Sequence, residues 1–163
     1  MHKKLNIFSF SLVIFLILIA IFAPFLSPHP YDMVNPSNAL APPSLEHFMG
    51  TDTTGRDIFS RALHGTTTSL SLALTTIIFG LITGVSIGAI AGYFVGIVDE
   101  IIMRIVDVFM SIPGVILALA MVAILGPEPI YLILALSIRR IIQFARVTRG
   151  VVLSIKELDY ISA

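Results

Sequence analysis

Two uninterrupted apolar stretches constrain this chain more than any other feature of its sequence. Residues 5–25 are almost wholly apolar, and about twenty such residues, rising roughly 1.5 Å each, span a hydrocarbon core of roughly 30 Å. Residues 70–94 carry no charged side chain. Only 12% of the chain is charged, and its mean hydropathy of +0.98 exceeds that of a soluble domain. The sequence therefore predicts an all-α integral membrane protein.

Two further stretches bring the predicted number of transmembrane helices to about four. Residues 105–125 form the third, interrupted by Asp107 and Pro113, and residues 130–142 form a shorter fourth. The turn between them holds one glycine and two prolines. So short a connection predicts that the third and fourth helices form a hairpin.

Positive charge predicts the orientation, because lysine and arginine are retained on the cytoplasmic side. Lys3 and Lys4 precede the first helix, and five basic residues lie within residues 139–156. Both termini are therefore predicted to be cytoplasmic, and residues 27–67 to lie outside.

A cleaved signal peptide is the alternative for residues 5–25. That stretch exceeds a typical signal-peptide core and has no A-x-A site after it, which favours a retained anchor.

Glycines recur every fourth residue through the second helix, which aligns them on one face and lets a neighbouring backbone approach closely. Small-residue faces of this kind serve helix association more often than a substrate path. We therefore predict a packing face within the subunit. Its members are Gly80, Gly84, Gly88, Gly92 and Gly96.

Charged residues after the second helix also have helical spacing. Glu100, Arg104 and Asp107 follow one another at spacings of four and three residues, with Asp99 next to Glu100, and aliphatic residues lie between them. This pattern predicts an interfacial helix whose charges pair with one another. Contact with a cytoplasmic partner is the alternative.

Arg139 and Arg140 are the least expected residues of the fourth helix, since a charge near the bilayer centre costs about 2.5 to 3.5 kcal/mol. Two interpretations remain open for them. The long side chains snorkel to the cytoplasmic surface, or they line a polar pathway that meets an anionic group. The shortness of the segment favours snorkelling.

Catalytic and cofactor motifs are absent from the sequence. The chain has no cysteine, its four histidines lack the spacing of known metal motifs, and no Gly-rich phosphate loop occurs. His29 and His47 are expected to be solvated. A metal site of His64 with Asp52 or Asp57 is less favoured than a plain loop. The net charge of zero argues against nucleic-acid binding. We expect no catalytic residue, no metal site and no cofactor on this chain.

Residues 50–61 contain a dense polar motif with two glycines. The motif resembles the signature G-T-D-x-x-G-R-D-x-x-S-R of peptide- and nickel-type ABC permeases, specifically the C-type subunit of a heterodimeric pair. The matching residues are Gly50, Thr51, Asp52, Gly55, Arg56, Asp57, Ser60 and Arg61. The resemblance extends over essentially the whole chain. It includes a proline-rich lead-in before the motif, residues 24–43, and positions after the motif as far as Arg149.

The resemblance implies a partial type I ABC importer transmembrane domain in residues 68–163, preceded in residues 1–67 by a transmembrane helix and a proline-rich extracytoplasmic segment. It implies a multi-pass protein of the cytoplasmic membrane, surrounded by lipid. The implied partners are a second homologous permease, two ATPase subunits that bind the ATP, and an extracytoplasmic substrate-binding protein. Peptides are the implied substrates, with nickel or a metal chelate as the close variant.

The last residues resemble the opening of the EAA loop, whose helix docks on the ATPase in this family. Asp159, Tyr160 and Ala163 are the matching positions. The remainder of that loop is not in the sequence, so a non-transporting membrane fragment is the alternative of another class. A membrane enzyme has no candidate nucleophile, base or metal cluster to support it.

Overall fold

The structure is a computed structural model that describes residues 2–156, with side chains from Ser9 onward. Its helices are α1 (His2–Leu26), a short 3-10 turn (Pro36–Asn38), α2 (Ile58–Tyr93), α3 (Ile97–Ser111), α4 (Gly114–Leu125) and α5 (Pro129–Lys156). The chain divides into two compact units, Met1–Leu72 and Ala73–Ala163. The predicted all-α membrane fold is confirmed.

Two of these helices are long and apolar enough to cross a membrane. They are α1, through Ser9–Leu26, and α2, through Ile58–Tyr93; α3 and α4 add a third span if the bent pair counts as one. Over the described part of the chain α5 is not among them. The predicted fourth span, residues 130–142, is only the first half of α5, which continues through the basic residues that follow.

In the first unit, a proline in α1 explains a hydrogen bond to α2. Pro24 lies inside α1 and has no N–H to donate, so the carbonyl of Ala20, four residues earlier, loses its normal intrahelical partner. The Thr67 hydroxyl donates to that carbonyl at 2.7 Å. A Ser or Thr hydroxyl is one of the groups that can satisfy the carbonyl freed by a proline in a membrane helix.

The helix α2 begins earlier than the apolar stretch that predicted it, at Ile58 rather than near residue 70. The side chain of Asp57 explains the earlier start. It precedes the first helical residue, and its Oδ2 accepts a hydrogen bond from the backbone N–H of Ser60 at 2.7 Å. This is the bond that an N-cap aspartate makes to satisfy a free amide at a helix start.

The predicted third span is broken at Pro113, one of the two places where the sequence interrupted it. It is divided between α3 and α4, which meet at an angle of 88°. Pro113 is the physical reason, because the residue before a proline is driven out of helical conformation. Ile112 has an extended backbone, with φ −89° and ψ 123°, and α4 restarts immediately after Pro113.

In the second unit, α5 runs along the glycine face of α2. A Cβ atom added at Gly84 would lie 2.7 Å from the carbonyl oxygen of Ile141, and one at Gly88 would lie 2.9 Å from the Cα of Ala145. Contacts at Gly80 and Gly92 continue the same seam. Residue numbers increase together on both helices, so α2 and α5 are parallel, which agrees with the alternation predicted from the basic residues.

Gly96 departs from the predicted face. It lies beyond the end of α2 at Tyr93, has a φ of +105°, and a Cβ atom there would meet nothing within 4 Å. The four-residue period therefore ends with the helix. Gly96 serves the turn into α3, where a positive φ favours glycine.

Two polar contacts accompany the seam between α2 and α5. Ser137 is fully buried; its hydroxyl donates to the Ile133 carbonyl of its own helix at 2.6 Å and lies 3.5 Å from the Thr76 carbonyl of α2. At the other end, the Lys156 ammonium donates to the Tyr93 carbonyl at 3.0 Å, a carbonyl that the end of α2 leaves without an intrahelical donor. Elsewhere α5 packs against α4 and α3.

Removing the Thr67 hydroxyl tests the bond to the free carbonyl of α1. Thr67→Val should lower the stability of the detergent-solubilised protein by about 1 kcal/mol, the net value of one hydrogen bond. In a Pro24→Ala background the new alanine supplies the missing N–H, so Thr67→Val should have little further effect. Thermal unfolding of the four proteins measures this coupling, and an equal loss in both backgrounds would contradict it.

Adding one methyl group to the seam tests the glycine face. Gly88→Ala should lower the free energy of unfolding by about 1 to 3 kcal/mol, because the backbone of α5 blocks the new Cβ. Gly150→Ala is the matched control, since Gly150 is also helical but a Cβ there meets nothing within 4 Å. The control should be neutral or slightly stabilising. Equal destabilisation by both changes would contradict the close packing at Gly88.

Candidate functional site

The polar motif forms a compact loop that the Asp52 carboxylate organises. Its Oδ1 accepts hydrogen bonds from the Thr54 hydroxyl at 2.7 Å, the Thr54 amide at 2.8 Å and the Arg56 amide at 3.0 Å. Its Oδ2 pairs with Arg56 Nε at 2.9 Å and with the guanidinium of Arg61. The Thr54 hydroxyl, followed by these other donors, holds the pKa of Asp52 well below its ordinary range against an opposing effect of burial.

Two glycines allow the same loop to touch the proline-rich lead-in. Gly50 and Gly55 have φ values of +72° and +75°, in the left-handed region that favours glycine. A Cβ atom at Gly50 would lie 2.5 Å from the Ala41 carbonyl oxygen, and one at Gly55 would overlap the Asn35 carbonyl. Substituting either glycine would therefore strain the backbone and push the two segments apart.

Backbone and hydroxyl contacts complete the join between the lead-in and the motif. The Thr51 amide donates to the Ala41 carbonyl at 3.0 Å, and the Leu40 amide donates to the Asp52 carbonyl at 3.0 Å. The Thr51 hydroxyl accepts from the Ala41 amide at 2.8 Å and donates to the Asn38 carbonyl. These hydrogen bonds fix residues 38–41 of the lead-in against the start of the motif.

Asp57, the second carboxylate of the motif, is buried beside His47 and His29. Besides capping α2, it accepts a hydrogen bond from His47 Nδ1 at 2.9 Å. Burial alone would raise the pKa of Asp57, but hydrogen bonds from Ser60 and then His47 lower it below its ordinary value. The rings of His29 and His47 lie 4.7 Å apart. The expectation that His47 is solvated is wrong, because it is only 8% exposed.

His64 does not join Asp52 or Asp57. Its ring instead lies 4.4 Å from that of Tyr31. Among the described residues, His29, His47 and Asp57 form a group that could hold a metal ion, with one ligand atom of each within 4.8 Å of the others. Sequence spacing did not single them out, since 18 and 10 residues separate them in the chain.

The charges of α3 pair mostly with α5. Asp99 forms two hydrogen bonds with the Arg149 guanidinium, both at 2.5 Å, and Asp107 pairs with Arg146. The prediction of mutual pairing within α3 is wrong for these two acids. Pairing within α3 is found only between Glu100 and Arg104. Both side chains are highly exposed, and Arg104 Nη2 lies 3.8 Å from Glu100 Oε1. The bend at Pro113 and the packing of α5 on α3 bring basic side chains within reach of the acids.

Arg139 and Arg140 are both exposed and form no ion pair among the described residues. Arg139 lines two cavities, of about 440 Å³ and 740 Å³, that lie beside α4 and α5, and its guanidinium passes close to Gly114 at the start of α4. Arg140 contacts Gly80 with its Cβ and reaches Gln143 Oε1 at 3.3 Å. Asp159, Tyr160 and Ala163 lie outside the described residues.

Two family models match this chain, in order along the sequence. Residues 1–43 match the N-terminal TM domain of oligopeptide transport permease C, and residues 84–163 match the binding-protein-dependent transport system inner membrane component. The chain belongs to this family of inner membrane transport components. The resemblance predicted from the Gly50–Arg61 motif is thereby confirmed, and with it the placement of the chain in the membrane.

Individual relatives of the family resemble almost the whole chain. The dipeptide transport system permease protein of Alkalihalophilus pseudofirmus is 42% identical over 161 residues, covering 99% of this chain and 53% of the relative. The oligopeptide transport system permease protein of Bacillus subtilis is 36% identical over 99% of this chain and 53% of the relative. The glutathione transport system permease protein of an Escherichia coli strain is 43% identical over 93% of this chain and 50% of the relative. The chain spans about half the length of the curated relatives it matches.

A double-mutant cycle tests whether the ion pair between α3 and α5 stabilises this transport component. Asp99→Asn and Arg149→Gln should show a coupling of about 1.5 to 3 kcal/mol in unfolding experiments, because both hydrogen bonds are charge-assisted and Asp99 is buried. The matched control is the exposed pair Glu100 and Arg104, where coupling should not exceed about 0.5 kcal/mol. Equal coupling in the two cycles would show that burial and bidentate geometry add nothing here.

Proposed function

We propose that this chain is part of a permease subunit of an ATP-driven importer that carries peptides across the cytoplasmic membrane. The observation that carries the proposal is the identity of 34 to 43% to permeases named for dipeptides, oligopeptides and glutathione, over nearly the whole chain. All of these named substrates are peptides. They favour peptide import over the import of nickel or a metal chelate.

The work of such a subunit is conformational. We propose that ATP is bound and hydrolysed by two partner ATPases, that a second homologous permease completes the pathway, and that an extracytoplasmic protein delivers the substrate. Alternating access requires packed helices that move as rigid groups. The glycine seam of α2 with α5, and the ion pairs of α3 with α5, supply contacts of that kind. We propose no chemical catalysis by this chain.

The surroundings of Arg139 support a pathway interpretation over snorkelling. Its side chain borders both cavities, whose volumes fall in the range of small-molecule sites, about 300 to 1,000 Å³. An uncompensated guanidinium beside such a space attracts an anionic group, and a peptide carries a carboxylate. We therefore place Arg139 on the route of the substrate.

Deleting the gene tests the proposed function in the source organism. Uptake of a radiolabelled dipeptide should fall to background and return when the intact gene is restored. Uptake of radiolabelled nickel should be unchanged. Loss of nickel uptake with normal dipeptide uptake would assign the metal variant instead, and normal uptake of dipeptides, oligopeptides, glutathione and nickel would overturn the importer proposal.

A further inference from the structure

One buried histidine, one half-buried histidine and a buried aspartate meet in the segment that precedes α2. His47 and Asp57 are 8% and 3% exposed, and His29 is half-buried beside them. One ligand atom from each residue lies within 4.8 Å of the other two. Three potential ligands therefore converge from well-separated positions in the chain.

The hydrogen bonds of this cluster leave ring nitrogens unused. His47 Nδ1 bonds to Asp57 Oδ1 at 2.9 Å, whereas His47 Nε2 and His29 Nδ1 are buried and have no hydrogen-bond partner among the described residues. Buried polar atoms in folded proteins are normally satisfied, and an unsatisfied one indicates a missing ion or water. Two such nitrogens in adjacent rings, beside a carboxylate, indicate one shared ligand.

The donor chemistry suits a metal ion as that ligand. Neutral imidazole nitrogens with a carboxylate suit zinc, nickel or copper, while calcium and magnesium prefer sites made of oxygen alone. Histidines that bind a metal usually donate their second ring N–H to a carboxylate. The bond between His47 Nδ1 and Asp57 has this arrangement.

We propose that His29, His47 and Asp57 form a resident site for one divalent transition-metal ion. His29 and His47 bind through ring nitrogens, and Asp57 binds directly or holds the His47 ring in place. The ion joins the chain just after α1, the residue that precedes the Gly50–Arg61 motif by three positions, and the cap of α2. This departs from the expectation that the chain holds no metal. It is independent of which substrate the importer carries.

A backbone hydrogen bond holds His29 beside α2 even without an ion. Its backbone amide donates to the Ser60 hydroxyl at 3.2 Å, so the main chain at His29 is anchored to the first turn of α2 whichever side chain position 29 carries. A bound ion would add a second anchor through the ring. Because it binds the folded loop and not the unfolded chain, the ion should raise the thermal stability of the protein.

Metal titration of the full chain tests the proposal. The protein is purified in detergent without a polyhistidine tag, in a His2→Gln background that removes the N-terminal histidine, and is stripped with a chelator. Calorimetric titration with Zn²⁺ alone should show one saturable equivalent per chain, and the melting temperature should rise with Zn²⁺. Absence of saturable Zn²⁺ binding would overturn the site.

Matched aromatic substitutions locate the bound ion. His29→Phe keeps a ring against His47 but removes the ligand nitrogen, so Zn²⁺ affinity should fall at least tenfold while the melting temperature of the metal-free protein stays the same. His64→Phe is the control, because His64 stacks on Tyr31 outside the cluster, and its affinity should equal that of the parent. Equal affinity of the His29→Phe protein and its parent would reject the assignment.

X-ray absorption at the zinc edge gives a readout that does not depend on any variant. Two imidazole ligands with oxygen neighbours should appear in the spectrum of the loaded parent protein. A first shell without imidazole would overturn the proposal. Neither result depends on the uptake assays, so failure of the metal site and failure of the importer proposal can be told apart.

Discussion

A backbone group that a helix leaves free needs a partner wherever the protein buries it, and most of all in hydrocarbon, which offers none. Where Pro24 removes a donor from α1, the Thr67 hydroxyl replaces it at the Ala20 carbonyl. Where α2 ends, Lys156 reaches the Tyr93 carbonyl. Where α2 begins, Asp57 accepts the Ser60 amide. At each of these three places a side chain satisfies the backbone group that the helix leaves free.

The Gly50–Arg61 motif has a structural meaning in these terms. Its two carboxylates have separate tasks, since Asp52 closes the loop on itself and Asp57 starts the helix that follows. Its two glycines permit a backbone approach that any side chain would prevent. The arginines neutralise Asp52 in a region predicted to lie outside the membrane. A motif that resembles the signature of the family thus also builds the start of a long membrane helix.

The sequence predicted those features that depend on composition and local spacing. Apolar length predicted α1 and α2, and the four-residue period predicted the face at Gly80, Gly84, Gly88 and Gly92 that α5 covers. Prediction from the sequence failed where tertiary packing decides which of several possible partners a residue contacts. Asp107 has a possible partner at helical spacing in Arg104, yet it pairs with Arg146, 39 residues away. Pro113 was visible in the sequence, but the 88° angle that follows from it was not.

The convergence of His29, His47 and Asp57 lies beyond local inference for the same reason. Their spacing in the chain has no short period, and only the fold of the loop brings the side chains together. Burial was likewise misjudged for His47, because a residue in a proline-rich segment is normally exposed. The contacts of Thr51 with the lead-in, which close the loop, depend on residues far from it in sequence.

The two ion pairs between α3 and α5 have a mechanical consequence. Asp99 and Asp107 are eight residues apart on α3, a distance of roughly 12 Å along a helix, and each is tied to a different arginine of α5. A single tie would act as a pivot about which α3 could swing. Two separated ion pairs oppose that rotation, so tilting or sliding either helix transmits force to the other.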